Sequence, residues 1–154
     1  MKTLEVSTTV PTEICMKRVF DAPRALVMRA LSEPELIKRW LGNSRSPIVG
    51  VEIDHRVGGR YRYTFRIPNG NEFSMTGVFR ELGESHTVHT ESMEGMPGES
   101  VVTTTLVESG GKTTMTVVMS FPTKELRDMV LSIGMTDGAA ESYDNLAALV
   151  TSLL

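Results

Sequence analysis

From Ile48 to Phe121 apolar and polar residues alternate with a period of two, broken only by turn signals, and this stretch constrains the fold most. The clearest segment puts Tyr61, Tyr63, Phe65 and Ile67 on one face and Arg60, Arg62, Thr64 and Arg66 on the other. Pro68-Asn69-Gly70-Asn71 then reads as a turn, after which Phe73, Met75, Gly77 and Phe79 share a face, so the two segments form a hairpin. Upstream, Val49, Val51 and Ile53 alternate with polar residues before Gly58-Gly59, which permits a bulge or tight turn. Residues 86–93, 100–108 and 113–121 supply three more strands, joined through Gly95 to Gly98 and Gly110-Gly111. Successive antiparallel hairpins with a polar outer face follow.

The flanks are of other kinds. Residues 13–20 read as a first strand, and Pro23 opens a short helix over 23–31. Ser32 and Glu35 have capping-box spacing, which predicts a second helix over 33–41. Residues 123–133 form a helix that Gly134 stops, and Thr136 or Asp137 caps a last helix running to Leu154. In it Ala140, Tyr143, Ala147, Val150 and Leu154 recur at helical spacing, flanked by Leu146, Leu149 and Leu153. A helix of about 18 residues spans roughly 27 Å, and a strand of about eight residues spans about 26 Å. One helix can therefore cover a whole curved sheet. The expected fold is α+β: a curved antiparallel sheet of about seven strands wrapped around a long C-terminal helix, with two short helices after the first strand. Residues 13–154 would form this single domain, and residues 1–12 an N-terminal extension.

At 154 residues with 40% hydrophobic content the chain can bury a core. Its net charge of −3 and the absence of a Lys/Arg run deny it the footprint of nucleic-acid binding. Arg60, Arg62 and Arg66 share a strand parity and read as a solvated sheet face. The single Cys15 cannot form an internal disulfide, which suits a reducing compartment. Residues 1–10 contain no apolar core of signal-peptide length, and no segment approaches a membrane span, so a cytoplasmic location is expected.

The order of elements resembles the helix-grip fold of the START and birch-pollen-allergen superfamily (SRPBCC). Within it the residues resemble the family named for the activator of the heat-shock protein 90 ATPase. The matching pieces are Ala22-Pro23, Arg39-Trp40 with Gly42, Arg56-Val57-Gly58-Gly59, Gly70, Gly77, Gly134-Met135, Gly138, and the run from Glu141-Ser142 to Leu146. The family often carries aromatic rings where this chain has Leu41, Glu91 and Ala139. The resemblance, so modified, implies a roomier and more Met-lined pocket.

In such a fold a pocket forms wherever sheet and helix side chains fail to meet. By parity and position its expected lining is Trp40, Tyr61, Tyr63, Phe65, Phe73, Met75, Phe79, Met115, Met119, Phe121, Met129 and Tyr143. Each of these would equally serve to fill a core. The ten methionines suit an adaptable surface. His89 and Glu91 are the acid/base candidates, two apart in a strand and so on one face. The expectation is that this face is outward, because unpaired ionised groups are costly to bury. His86 and His89 fall on opposite faces, and His55 is remote in sequence, so no zinc ligand set assembles. Gly58-Gly59 precedes a strand and is no phosphate loop, and a nucleophile elbow is missing. No metal or other cofactor is expected.

The function these features favour is the binding of a small apolar or aromatic ligand. One alternative is a cofactor-free enzyme (cyclase, dehydratase or hydrolase) using His89 and Glu91, or Tyr61 and Tyr63, in the same cavity. A co-chaperone acting on heat-shock protein 90 is what the family name implies. No membrane or nucleic-acid partner is expected, and a homodimer is left open.

Overall fold

A computed structural model of the protein describes residues 4–154; residues 1–3, the start of the expected extension, lie outside the described residues. Strands β1 (Glu5–Ser7) and β2 (Glu13–Phe20) lead into helices α1 (Arg24–Ser32) and α2 (Pro34–Trp40). Strands β3 (Ile48–Ile53), β4 (Arg60–Arg66), β5 (Glu72–Leu82), β6 (His86–Met93), β7 (Ser100–Ser109) and β8 (Lys112–Ser120) follow. The chain ends in α3 (Lys124–Ser132) and α4 (Met135–Ser152). All neighbours are antiparallel, in the order β1-β2-β8-β7-β6-β5-β4-β3. Strands β3 to β8 form a meander, and α1 and α2 carry the chain from β2 to its far edge. This is the α+β helix-grip architecture.

The sheet has eight strands where about seven were expected. The additional one, β1, is drawn from the N-terminal extension, pairing Glu5 with Lys17 and Ser7 with Cys15. Three residues are too few to show a period, so only pairing reveals the strand. The segment is pinned from beneath by Arg127 of α3, a buried guanidinium whose Nη1 donates to the carbonyls of Thr8, Val10 and Glu13 at 3.0, 3.2 and 3.1 Å. Its Nε donates to Asp128 at 2.8 Å.

Curvature comes from irregularities in β3 between Ile48 and Gly50 and in β5 between Phe79 and Glu81. The first alters the expected alternation of β3: Val49 is exposed while Val51 and Ile53 are half-buried. Arg60, Arg62 and Arg66 lie on the solvent face, where Arg62 pairs with Glu94 and Arg66 with Glu72.

Helix boundaries depart from the sequence signals in instructive ways. Ser32 caps nothing, because its hydroxyl turns back to the Met28 carbonyl at 2.8 Å and Glu33 takes the N-cap place of α2. Gly134, at φ 82°, both terminates the α3 segment and serves as N-cap of α4, a role expected of Thr136 or Asp137. A left-handed residue is needed to turn the chain so sharply between two helices, and glycine adopts it freely. Leu154 falls beyond α4 and is 73% exposed. The buried stripe of α4 is instead Ser142, Leu146, Leu149 and Val150.

Helix α4 is held against the concave face by this stripe and by polar pins at its flanks. The Arg18 guanidinium of β2 lies 2.6 Å from the Asp144 carboxylate. The Ser142 hydroxyl accepts from the Gly42 amide at 3.1 Å and donates to the Gly42 carbonyl at 2.7 Å, tying α4 to the loop after α2. Beside it the Glu141 carboxylate accepts from the Ser44 amide. These contacts hold the first half and middle of the helix, and Leu146, Leu149 and Val150 carry its second half into the main core.

Candidate functional site

Between the β4–β5–β6 half of the sheet and α4 the side chains do not meet, leaving a cavity of about 400 Å³. That volume lies within the range of sites that take small organic molecules. Of the expected lining residues, Trp40, Tyr61, Tyr63, Phe65, Phe73, Met75, Phe79, Met115, Met119, Phe121 and Tyr143 face it. Met129 does not. On α3 the cavity-facing residues are Leu126, Val130 and Ile133, and Met129 lies a residue off that stripe. Met16, Met28, Met93, Met96 and Met135 also line the cavity, so eight of the ten methionines do. Leu41, Glu91 and Ala139, the three positions that lack an aromatic ring, all lie in its wall.

The aromatic wall is ordered by the strand registers. Tyr61 pairs with Gly77, Tyr63 with Met75, and Phe65 with Phe73. The rings of Phe65 and Phe73 stack at 5.2 Å, and that of Tyr61 lies 4.7 Å from Tyr63 and 5.5 Å from Phe79. Gly77 leaves the space into which the Tyr61 ring folds, and the Tyr61 hydroxyl donates to the Thr90 carbonyl at 2.6 Å. Opposite, Trp40 is oriented by its indole N–H, which donates to the Ala30 carbonyl at 2.8 Å, and its ring leans on Tyr143 at 6.2 Å.

His89 and Glu91 face inward, which corrects the outward expectation. Their parity is set by pairing: His89 lies opposite Phe79 on one side and Val102 on the other, and Glu91 lies opposite Ser100. Val102, Ser100 and Phe79 all belong to the cavity face. The expectation treated both groups as ionised, but burial acts on the protonation state instead. It raises the Glu91 carboxyl from its usual 4.5 to about 7 and lowers the His89 imidazole from 6.5 to about 4. Both groups are therefore neutral in mildly acidic solution, and much of the penalty disappears. The Tyr61, Tyr63 and Tyr143 phenols are raised by burial first and by the Glu91 charge second, which places that carboxyl among all three.

Among the described residues no hydrogen bond or ion pair engages the side chains of Glu91, His89, Tyr63 or Tyr143. Among the described residues no buried side-chain nitrogen or oxygen lacks a partner, so these groups present their polar atoms to the cavity space. Sequence reasoning missed His55, which sits in the wall with its ring edge-on to Phe79 at 5.2 Å. It lies between strands, where parity carries no information. Met93 follows from the parity of Glu91 and could have been found with it. Pro97, Gly98, Ile133 and Gly134 are both lining and exposed, so the cavity meets solvent between the β6–β7 loop and the α3–α4 junction.

No helix among the described residues is long and apolar enough to cross a membrane. Comparison with solved structures gives close fold matches. A Rhodobacter sphaeroides protein is similar at 24% identity with a TM-score of 0.91, covering 98% of this chain and 99% of that one. A Nitrosomonas europaea protein is similar at 24% identity with a TM-score of 0.84, covering 93% and 96%. A Chromobacterium violaceum protein reaches 28% identity with a TM-score of 0.81, covering 92% and 98%. No curated protein matches the chain. The family described as "Activator of Hsp90 ATPase homolog 1-like protein" matches over residues 21–151. Nearly the whole helix-grip domain is included in that match, and the chain belongs to this family.

Proposed function

We propose that the protein binds a small apolar or aromatic molecule in the cavity between β4–β6 and α4. The observation that carries this reading is the unfilled volume of about 400 Å³, walled by aromatic rings and methionines and open to solvent at one end. A core that served stability alone would be close-packed, because voids forfeit contacts. Unbranched thioethers can repack around ligands of differing outline. A panel of neutral polycyclic aromatics and long-chain alcohols, read by thermal melting, tests it. A compound present at 100 times its Kd stabilises the native state by about 2.7 kcal/mol, which raises Tm by roughly 5–10 °C in a chain of this size. A panel in which no compound raises Tm would refute the reading.

A second reading, a cofactor-free enzyme, is favoured by the opposite displacements of Glu91 and His89. A carboxylic acid able to donate a proton beside an imidazole able to accept one is the pairing that general acid–base chemistry uses. If the cavity turns over an ester or a hydroxyketone, His89→Ala is expected to lower kcat about 100-fold or more. Turnover unchanged in that variant would remove His89 from the chemistry.

A further inference from the structure

The cavity wall is uneven in charge. Glu91 is its one carboxyl, and among the described residues no lysine or arginine lines it. Elsewhere carboxylates of the chain find cations readily: Asp144 has Arg18 at 2.6 Å, Glu94 has Arg62 at 2.9 Å, and Glu72 has Arg66 at 3.0 Å. Arg62 and Arg66 cannot serve Glu91, because strand parity sends them to the opposite face of β4. His89 does not serve it either. Its ring packs edge-on against Tyr61 at 5.4 Å and Phe79 at 6.0 Å, and burial keeps it uncharged. An ionised carboxylate in such a place lacks the partner that would offset its desolvation.

The groups around Glu91 are suited to one kind of partner. Tyr61 and Tyr63 of β4 and Tyr143 of α4 lie within reach of its charge, Phe79 of β5 lines the same cavity, and Trp40 stands beside Tyr143. Aromatic faces attract cations, most strongly where water is displaced. We propose that the cavity's ligand is a lipophilic amine, its protonated nitrogen set against the Glu91 carboxylate and its apolar body among the rings of Tyr61, Tyr63 and Trp40. This inference rests on the ligand-binding reading above and gives it a chemical class. It also gives it an exclusion. A lipophilic carboxylic acid of the same shape would meet Glu91 as a like charge and find no cation in the wall.

Three probes of one skeleton separate these cases: 1-naphthylmethylamine, 1-naphthalenemethanol and 1-naphthoic acid, titrated calorimetrically at pH 8. At that pH Glu91 is ionised and the amine is protonated. The other titratable groups facing Glu91 are His89 on its own strand, Tyr61 and Tyr63 from β4, and Tyr143 from α4, all uncharged there. His55 lies farther along the wall and is neutral as well. Glu99 is exposed and has Arg80 at 3.9 Å. The amine is expected to bind about tenfold more tightly than the alcohol, the worth of one charge-assisted hydrogen bond, and the acid most weakly. In Glu91→Gln the advantage of the amine over the alcohol should disappear, and any retained alcohol binding shows that the variant is folded. The ranking of the three probes on the unmutated protein decides the matter even if that variant fails to fold. An amine no tighter than the alcohol, or an advantage that survives Glu91→Gln, would overturn the amine assignment while alcohol binding upholds the cavity reading. No binding by any of the three would overturn both.

Discussion

Gly77→Ala is expected to destabilise the protein by about 3 kcal/mol or more, lowering Tm by roughly 10 °C. The added Cβ would stand 1.9 Å from the Thr90 carbonyl oxygen and 2.5 Å from Cε2 of Tyr61. Backbone conformation is not the obstacle, since Gly77 is not among the residues of positive φ. Space is. The neighbouring strand β6 approaches so closely that either β5 and β6 separate or the register slips, and both expel the Tyr61 ring from the cavity wall. The Tyr61–Thr90 hydrogen bond of 2.6 Å would be lost with it. Removing the Tyr61 ring as well should not rescue the variant, because the nearer clash is with backbone. Gly95→Ala provides the contrast: nothing lies within 4 Å of that position, and its cost, about 1 kcal/mol, comes from φ 81° alone. Urea denaturation of the two variants measures the difference. A Gly77→Ala protein within 1 kcal/mol of the parent would show that β5 and β6 are not packed as described.

Glu91→Gln and His89→Gln are expected to tilt the stability–pH profile in opposite directions. The folded Glu91 carboxyl titrates near 7 instead of its usual 4.5, so between those values the folded chain holds a proton that the unfolded chain has released. Stability contributed by Glu91 is therefore present below pH 4.5 and lost as pH rises toward 7, by about 3 kcal/mol. The folded His89 titrates near 4 instead of 6.5, so between those values the unfolded chain holds the extra proton. Its contribution is present above pH 6.5 and lost as pH falls toward 4, by a similar amount. Between pH 4.5 and 6.5 the two slopes oppose each other and largely cancel in the parent protein. Relative to the parent, Glu91→Gln should gain about 3 kcal/mol on going from pH 4 to pH 8, whereas His89→Gln should gain on going from pH 7 to pH 4. Denaturant unfolding at six or seven pH values would reveal both. Parallel profiles for parent and variants would mean that the two groups are solvated, as the sequence alone suggested.

Several strand segments read from the sequence survive, and the clearest of them, β4, stops at Arg66, one residue short of Ile67. Residues 13–20 and 86–93 are β2 and β6 to the residue, and the Tyr61–Phe79 hairpin pairs in the register its parity implied. In each of these, periodicity and turn residues act over a few positions and need no distant partner. The readings that failed depended on what lay across space. Ser32 had the spacing of a cap, but it belongs to the last turn of α1, where its hydroxyl donates to the Met28 carbonyl instead of accepting an amide N–H. Met129 had the right chemistry for the cavity, but the orientation of α3 is set by Leu126 and Val130 packing inward and by Arg127 reaching the N-terminal segment. His89 and Glu91 were assigned outward on the cost of burying charge, an argument that holds only if the groups stay charged.

The class of fold was legible in the residues, because alternation, turns and a closing helix of matching length admit few other arrangements. So was a wall of tyrosines, phenylalanines and methionines sharing one face of the sheet, since side-chain direction in a strand follows from position alone. That a volume of about 400 Å³ stays open behind that wall, and that among the described residues one carboxyl stands in it without a cation, depends on how the elements pack. The reason is physical. Direction is a local property of the backbone, whereas emptiness and protonation depend on everything that does or does not arrive from the other side, here α4 with Ala139 and Tyr143.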